Sequence, residues 1–93
     1  MSEARDLHIQ VTDAQAEVLL LVLAAEEHNP EEGLWASTLT DEQIAVAKEL
    51  KQRTLLWADW LPGSTILLYG LTTNGRAVAK TVRALRERTD EQP

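Results

Sequence analysis

His8 and His28 are the chain's only histidines, the residue type best suited to zinc binding or to proton transfer near neutral pH. Neither has Asp or Glu at the spacing of a metal box, so both read as surface side chains, His28 being well placed at a helix C-terminus. Glu26, Glu27, Glu31 and Glu32 gather four carboxylates, the ligand type for a hard cation. The stretch lacks the alternating oxygen donors and glycine turn of a calcium loop, and reads as a solvated acidic surface. With no Cys, thiolate metal sites, disulfides and cysteine nucleophiles are excluded. Ser37, Ser64 and the threonines sit in no nucleophile motif, and no glycine-rich loop could cradle a phosphate. The expectation is a protein that is not an enzyme and carries no metal or cofactor.

What remains is binding chemistry. Arg76, Lys80 and Arg83 recur at i, i+4, i+7, with Arg86 and Arg88 nearby, and form the one basic patch that could meet phosphates or an acidic surface. Trp57 and Trp60 stand three apart in an apolar stretch. In a strand they lie on opposite faces, so at least one is exposed or buried by a partner, and Trp is enriched at binding hot spots. Leu67 and Tyr69 share a strand face that could join such an interface.

These residues must be positioned by elements that the patterning defines. Leu7-His8-Ile9-Gln10-Val11 alternates apolar and polar, the mark of a short half-buried strand. Thr12-Asp13-Ala14-Gln15 fits a capping box and opens a helix at Asp13, with Val18, Leu21, Val22 and Ala25 on one stripe. Leu19, Leu20 and Leu23 make it nearly apolar all round, hence central to the core, and Asn29-Pro30 stops it. Residues 31–40 read as a connector with at most one helical turn. Thr40-Asp41-Glu42-Gln43 repeats the capping box and starts a second helix reaching about Leu55, with acids at its start and Lys48, Lys51 and Arg53 towards its end. Residues 55–71, around Pro62-Gly63-Ser64, read as a hairpin whose second strand, 65–71, is apolar on both faces. Asn74-Gly75 breaks the pattern. From Arg76 a last amphipathic helix carries Val78, Val82 and Leu85, and the polar residues from Thr89 read as frayed, as do residues 1–6.

Ninety-three residues fit one domain, and the 44% apolar content, leucine-rich and without Phe, suits a small aliphatic core. The longest apolar run, residues 18–25, is far short of the ~20 residues of a membrane helix. The acidic start is unlike a signal peptide, and a soluble cytoplasmic protein is expected. The net charge of -6 argues against indiscriminate binding to nucleic acid or anionic lipid. It divides unevenly: residues 1–46 carry a net -9, residues 47–93 a net +3.

The run Leu50-Lys51-Gln52-Arg53-Thr54-Leu55, then a hairpin, then Tyr69-Gly70-Leu71-Thr72-Thr73-Asn74-Gly75, resembles the second half of a winged helix-turn-helix domain of the MarR-like and PadR-like kind. There a recognition helix ends in "leucine, two residues, arginine-glycine-leucine". The second wing strand runs into "tyrosine, any, leucine-threonine, two residues, glycine". Tyr69, Leu71, Thr72 and Gly75 match the second phrase, whereas Thr54 stands where the first has glycine. The resemblance implies an α+β winged helix: three main helices, a β-hairpin wing and a short N-terminal strand. It implies that Thr72 caps the last helix and that Gly75 lets its first turn approach closely.

Two functions follow. The resemblance implies a homodimeric DNA-binding transcriptional regulator, with Gln43, Lys48, Lys51 and Arg53 on the recognition helix and Arg76, Lys80 and Arg83 on backbone phosphates. The wing tip, residues 61–65, carries no charge to grip phosphate, and the recognition helix opens with Asp41 and Glu42. The charge therefore points to the alternative, a winged-helix-like protein-protein interaction module whose acidic half excludes or imitates DNA. Its expected interface residues are Trp57, Trp60, Leu67 and Tyr69.

Overall fold

A computed structural model describes residues 11–30 and 33–91. The expected strand at residues 7–11 lies, but for Val11, outside the described residues, as do His8, Glu31 and Glu32.

Both capping boxes form. The Gln15 N–H donates to Thr12 Oγ1 and the Thr12 N–H to Gln15 Oε1, each at 3.1 Å, and helix α1 runs Asp13–His28. Thr40 and Gln43 repeat this at 3.0 and 3.1 Å, opening α2, Asp41–Gln52. Each box satisfies two backbone donors that a helix start would leave unpaired. α1 ends as its Asn-Pro stop requires, with the Asn29 N–H returning to the Ala25 carbonyl.

α2 stops three residues short of Leu55. Its end is a Schellman turn, in which the Leu55 N–H reaches the Leu50 carbonyl at 2.9 Å and the Thr54 N–H reaches Lys51 at 3.0 Å. That turn needs a left-handed residue, and Thr54 supplies it at φ 59°. Glycine in the resembling family's phrase falls at this same position.

The connector between α1 and α2 holds a short strand that the patterning does not reveal, β1 (Leu34–Trp35), followed by a single 3₁₀ turn, Ala36–Thr38. Two residues are too few to show a period. β1 exists because a partner strand receives it, and Gly33, at φ 76°, lets the chain enter: a Cβ there would stand 2.5 Å from the Tyr69 carbonyl oxygen. The expected hairpin forms as β2 (Leu56–Trp60) and β3 (Leu67–Leu71). The antiparallel sheet has the order β1-β3-β2, with Leu34 opposite Tyr69 and Ala58 opposite Tyr69 on the other side.

The last helix, α3 (Thr73–Glu91), starts three residues before Arg76. Asn74-Gly75 does not break it but forms its first turn. Thr72 Oγ1 caps that turn by accepting from the Gly75 N–H at 2.9 Å, and the backbone stays helical past Thr89. A Cβ on Gly75 would lie 1.8 Å from the Leu55 carbonyl oxygen, so only glycine allows this approach.

The sheet lays one face on the helices. Leu19, Val22 and Leu23 from α1, Ala47 and Leu50 from α2, and Ala79 from α3 pack with Leu55, Leu56, Tyr69 and Leu71. Among the described residues, three α-helices and a three-stranded antiparallel sheet make an α+β fold compatible with a winged-helix-like one.

Thr54→Gly should raise stability by about 0.5–1 kcal/mol, the relief of a left-handed threonine less the greater freedom of an unfolded glycine. A higher urea midpoint with an unchanged slope would show it. Burial raises the Tyr69 phenol above the ordinary tyrosine pKa. Its folded pKa thus exceeds the unfolded one, so its contribution is intact below about pH 10 and is lost as pH rises through the folded value. The denaturation midpoint should fall across that alkaline range more steeply than in Tyr69→Phe.

Candidate functional site

Of the residues expected to contact DNA, Gln43, Arg53, Arg76 and Arg83 are engaged by other groups of the chain. Lys48 and Lys51 are exposed on α2. Gln43 has its side-chain oxygen on the Thr40 N–H, inside the capping box. Arg53 turns towards α1: its Nη1 donates to Gln15 Oε1 at 3.1 Å, and Gln15 Nε2 donates to Glu49 Oε1 at 3.2 Å, a bridge joining the end of α2 to the start of α1.

The stripe on α3 faces the acidic end of α1. Arg76 Nη2 lies 2.9 Å from Glu26 Oε1, and Arg83 Nη1 lies 2.9 Å from both oxygens of Glu27. Between them Lys80 borders an open recess of about 240 Å³ with Leu23, Glu26, Glu27 and Pro30. The excess negative charge of the first half and the excess positive charge of the second thus meet within the molecule. Glu26, expected on a solvated acidic surface, is instead nearly buried beside the basic stripe, whereas Glu27 is exposed as expected and pairs with Arg83.

Glu26 does more than neutralise an arginine. Its side chain is only 12% exposed, and its second oxygen accepts from the Leu71 N–H at 2.8 Å. Backbone groups alternate along a strand, so Leu71 points its N–H to the same side as Tyr69, which pairs with β1. Among the described residues β1 begins at Leu34, short of the position opposite Leu71, and the Glu26 carboxylate is what accepts from that N–H. The Arg83–Glu27 pair is open to solvent, with side chains 39% and 51% exposed, and contributes little.

The second surface is the face of the sheet turned away from the helices. Alternation puts Leu56, Ala58, Leu67, Tyr69 and Leu71 on the core side. Trp35, Leu68, Trp57, Asp59 and Gly70 fall on the other. Tyr69, expected at an interface, is 1% exposed and belongs to the core, because β1 and β2 flank its strand on both sides. Leu67 is half-buried against that core. Trp57 and Trp60 take opposite faces as the spacing requires, and both remain exposed, at 40% and 59%. Trp60 is on the core side but lies at the tip of the hairpin. The Trp57 indole spreads over Gly70, where a Cβ would stand 2.1 Å from the ring.

Trp35 also lies on this face. β1 sets it directly opposite Leu68, and it stays 36% exposed. Leu68 is buried to 6% without contributing to the main core, so the outer face carries its own apolar centre. In the sequence the only sign of Trp35's role is the Leu34-Trp35 pair after a glycine. Asp59 lies on the same face opposite Leu68, and it is the only charged residue in positions 55–72. One of its oxygens accepts from the Trp60 N–H at 2.8 Å.

Removing the Glu26 carboxylate should show which of its two bonds matters. Glu26→Ala leaves the Leu71 N–H without a partner and should cost about 2–3 kcal/mol. Glu26→Gln keeps an amide oxygen for that N–H, loses only the arginine pair, and should cost about 1 kcal/mol. Urea unfolding of both variants separates the two, and equal losses would mean that the ion pair dominates. No family model, curated protein or solved structure matches the chain, so its function has to be read from its own geometry and charge.

Proposed function

We propose that this chain is a winged-helix-like protein-interaction module whose binding surface is the outer face and tip of its hairpin. The observation that carries this reading is the exposure of three tryptophans on one small sheet, Trp35 and Trp57 on its outer face and Trp60 at the hairpin tip, each 36–59% exposed, with a single charge in the hairpin. Large aromatics are costly to leave in water and are the side chains that most often anchor protein partners. The element order, with α2 between a 3₁₀ turn and a hairpin, supports the winged-helix kinship.

A second reading, a winged-helix DNA-binding regulator, is favoured by exposed Lys48 and Lys51 on α2, the helix that would enter a groove. Against it stand Asp41 and Glu42 at the start of that helix, and Arg53, Arg76 and Arg83 already engaged within the chain. Carboxylates beside phosphates repel, and a net charge of -6 adds to that.

The two readings separate in one set of experiments. The immobilised protein should capture a protein partner from an extract of its own cells, the capture should survive nuclease, and a Trp57→Ser/Trp60→Ser variant should lose it. On a genomic-DNA column the protein should pass unretained at low salt. Salt-sensitive retention abolished by Lys48→Glu/Lys51→Glu would instead establish the DNA-binding reading and refute the first.

A further inference from the structure

We propose that the outer edge of β2 docks an extended, arginine-bearing segment of a basic protein partner as a fourth strand, with Asp59 recognising the arginine. The inference rests on the interaction-module reading and gives it a mode and a partner chemistry. The sheet ends at β2, so among the described residues no strand lies along its far side. The backbone bonds at the two ends of the hairpin, Thr72 N–H to Leu55 and Leu61 N–H to Ile66, fix which residues turn inward. Leu55, Trp57, Asp59 and Leu61 point their backbone groups at β3. Leu56, Ala58 and Trp60 therefore point theirs outward, where an incoming strand would pair.

Of those outward donors, the Trp60 N–H is held by the Asp59 carboxylate at 2.8 Å. A charged side chain that occupies an edge donor keeps indiscriminate strands away. It also sets a condition for entry, because displacing the carboxylate from its N–H requires another cationic or donor group to receive it. An arginine offers two parallel N–H groups in the geometry a carboxylate accepts, and its planar cation stacks on an indole. Trp57 supplies one on the same face, two residues from Asp59. The charge of the hairpin agrees: Asp59 is its only charged residue, in a chain of net charge -6. Two copies pairing along this edge about Ala58 would set their Asp59 carboxylates diagonally across one face, where like charges repel. A basic partner is thus favoured over a second copy.

The probe is a capped heptapeptide alternating Arg and Val, titrated into the full chain, with the same peptide carrying Glu in place of Arg as control. The Arg peptide should bind and shift the backbone amide resonances of Leu56, Ala58 and Trp60, while the Glu peptide binds at least about fivefold more weakly. Asp59→Asn should remove most of that difference. Ala58→Pro deletes an outward N–H without touching the ladder to β3 and should abolish binding. Should that variant not fold, Asp59→Arg decides, since it should reverse the preference towards the Glu peptide.

Equal binding of the two peptides, no binding of the Arg peptide, or shifts confined to residues away from β2 would overturn the proposal. So would self-association of the protein that Ala58→Pro removes, which would give the edge to a second copy. The cellular partner of the preceding section tells the two inferences apart. Capture lost in Trp57→Ser/Trp60→Ser but intact in Ala58→Pro and Asp59→Asn would leave the interaction module standing and remove the edge. Capture unchanged in all of them would remove both.

Discussion

The Leu55 carbonyl oxygen is where the fold is decided. The first turn of α3 passes so close to it that a single extra carbon on Gly75 would collide with it, and the Thr72 N–H bonds to it at 3.2 Å. Thr72 also donates its hydroxyl to the Thr54 carbonyl while accepting from Gly75. One threonine thus ties the end of α2, the root of the hairpin and the start of α3. The Leu55 N–H closes the α2 turn on Leu50, so both backbone groups of Leu55 serve neighbouring elements. Without that junction α3 could not lie along α1, and the hairpin could not stand at its present angle to the core.

Glu26 completes the junction from the other side. Among the described residues β1 pairs with only two residues of β3, and a buried N–H without an acceptor is among the costlier faults a fold can carry. A glutamate on the last turn of α1 reaches that N–H and holds Arg76 with its second oxygen. Glu26 and Glu27 thus bring two acids of the first half to two arginines of the second. Arg76 and Arg83 of the basic stripe turn to α1, while Trp35, Trp57 and Trp60 stay 36–59% exposed on the sheet.

Much of this architecture was legible beforehand because it is local. Thr12-Gln15 and Thr40-Gln43 close their hydrogen bonds within three residues, Asn29-Pro30 acts on the residue beside it, and Pro62-Gly63-Ser64 turns the hairpin within a few residues. What was missed is what a second element creates. β1 has too few residues for a period, and Trp35 becomes part of a surface only because β3 receives it. α2 ends before its pattern does because Thr54 takes the left-handed conformation that threonine rarely adopts. α3 starts before Asn74-Gly75, a pair that reads locally as a break, because the Leu55 carbonyl beside it requires glycine in the first turn.

The sequence by itself determined the starts of α1 and α2, the hairpin, the absence of cysteine chemistry and the opposed faces of Trp57 and Trp60. Each follows from backbone sterics, side-chain alternation or residue identity, none of which needs a distant neighbour. Only the tertiary structure decided that Tyr69 is core, that Glu26 serves β3, that Arg76 and Arg83 are neutralised by α1, and that Trp35 joins Trp57 on the outer face. Those outcomes depend on which strand lies beside which and on how close two backbones come, and chain spacing does not encode distances between segments that meet only after folding.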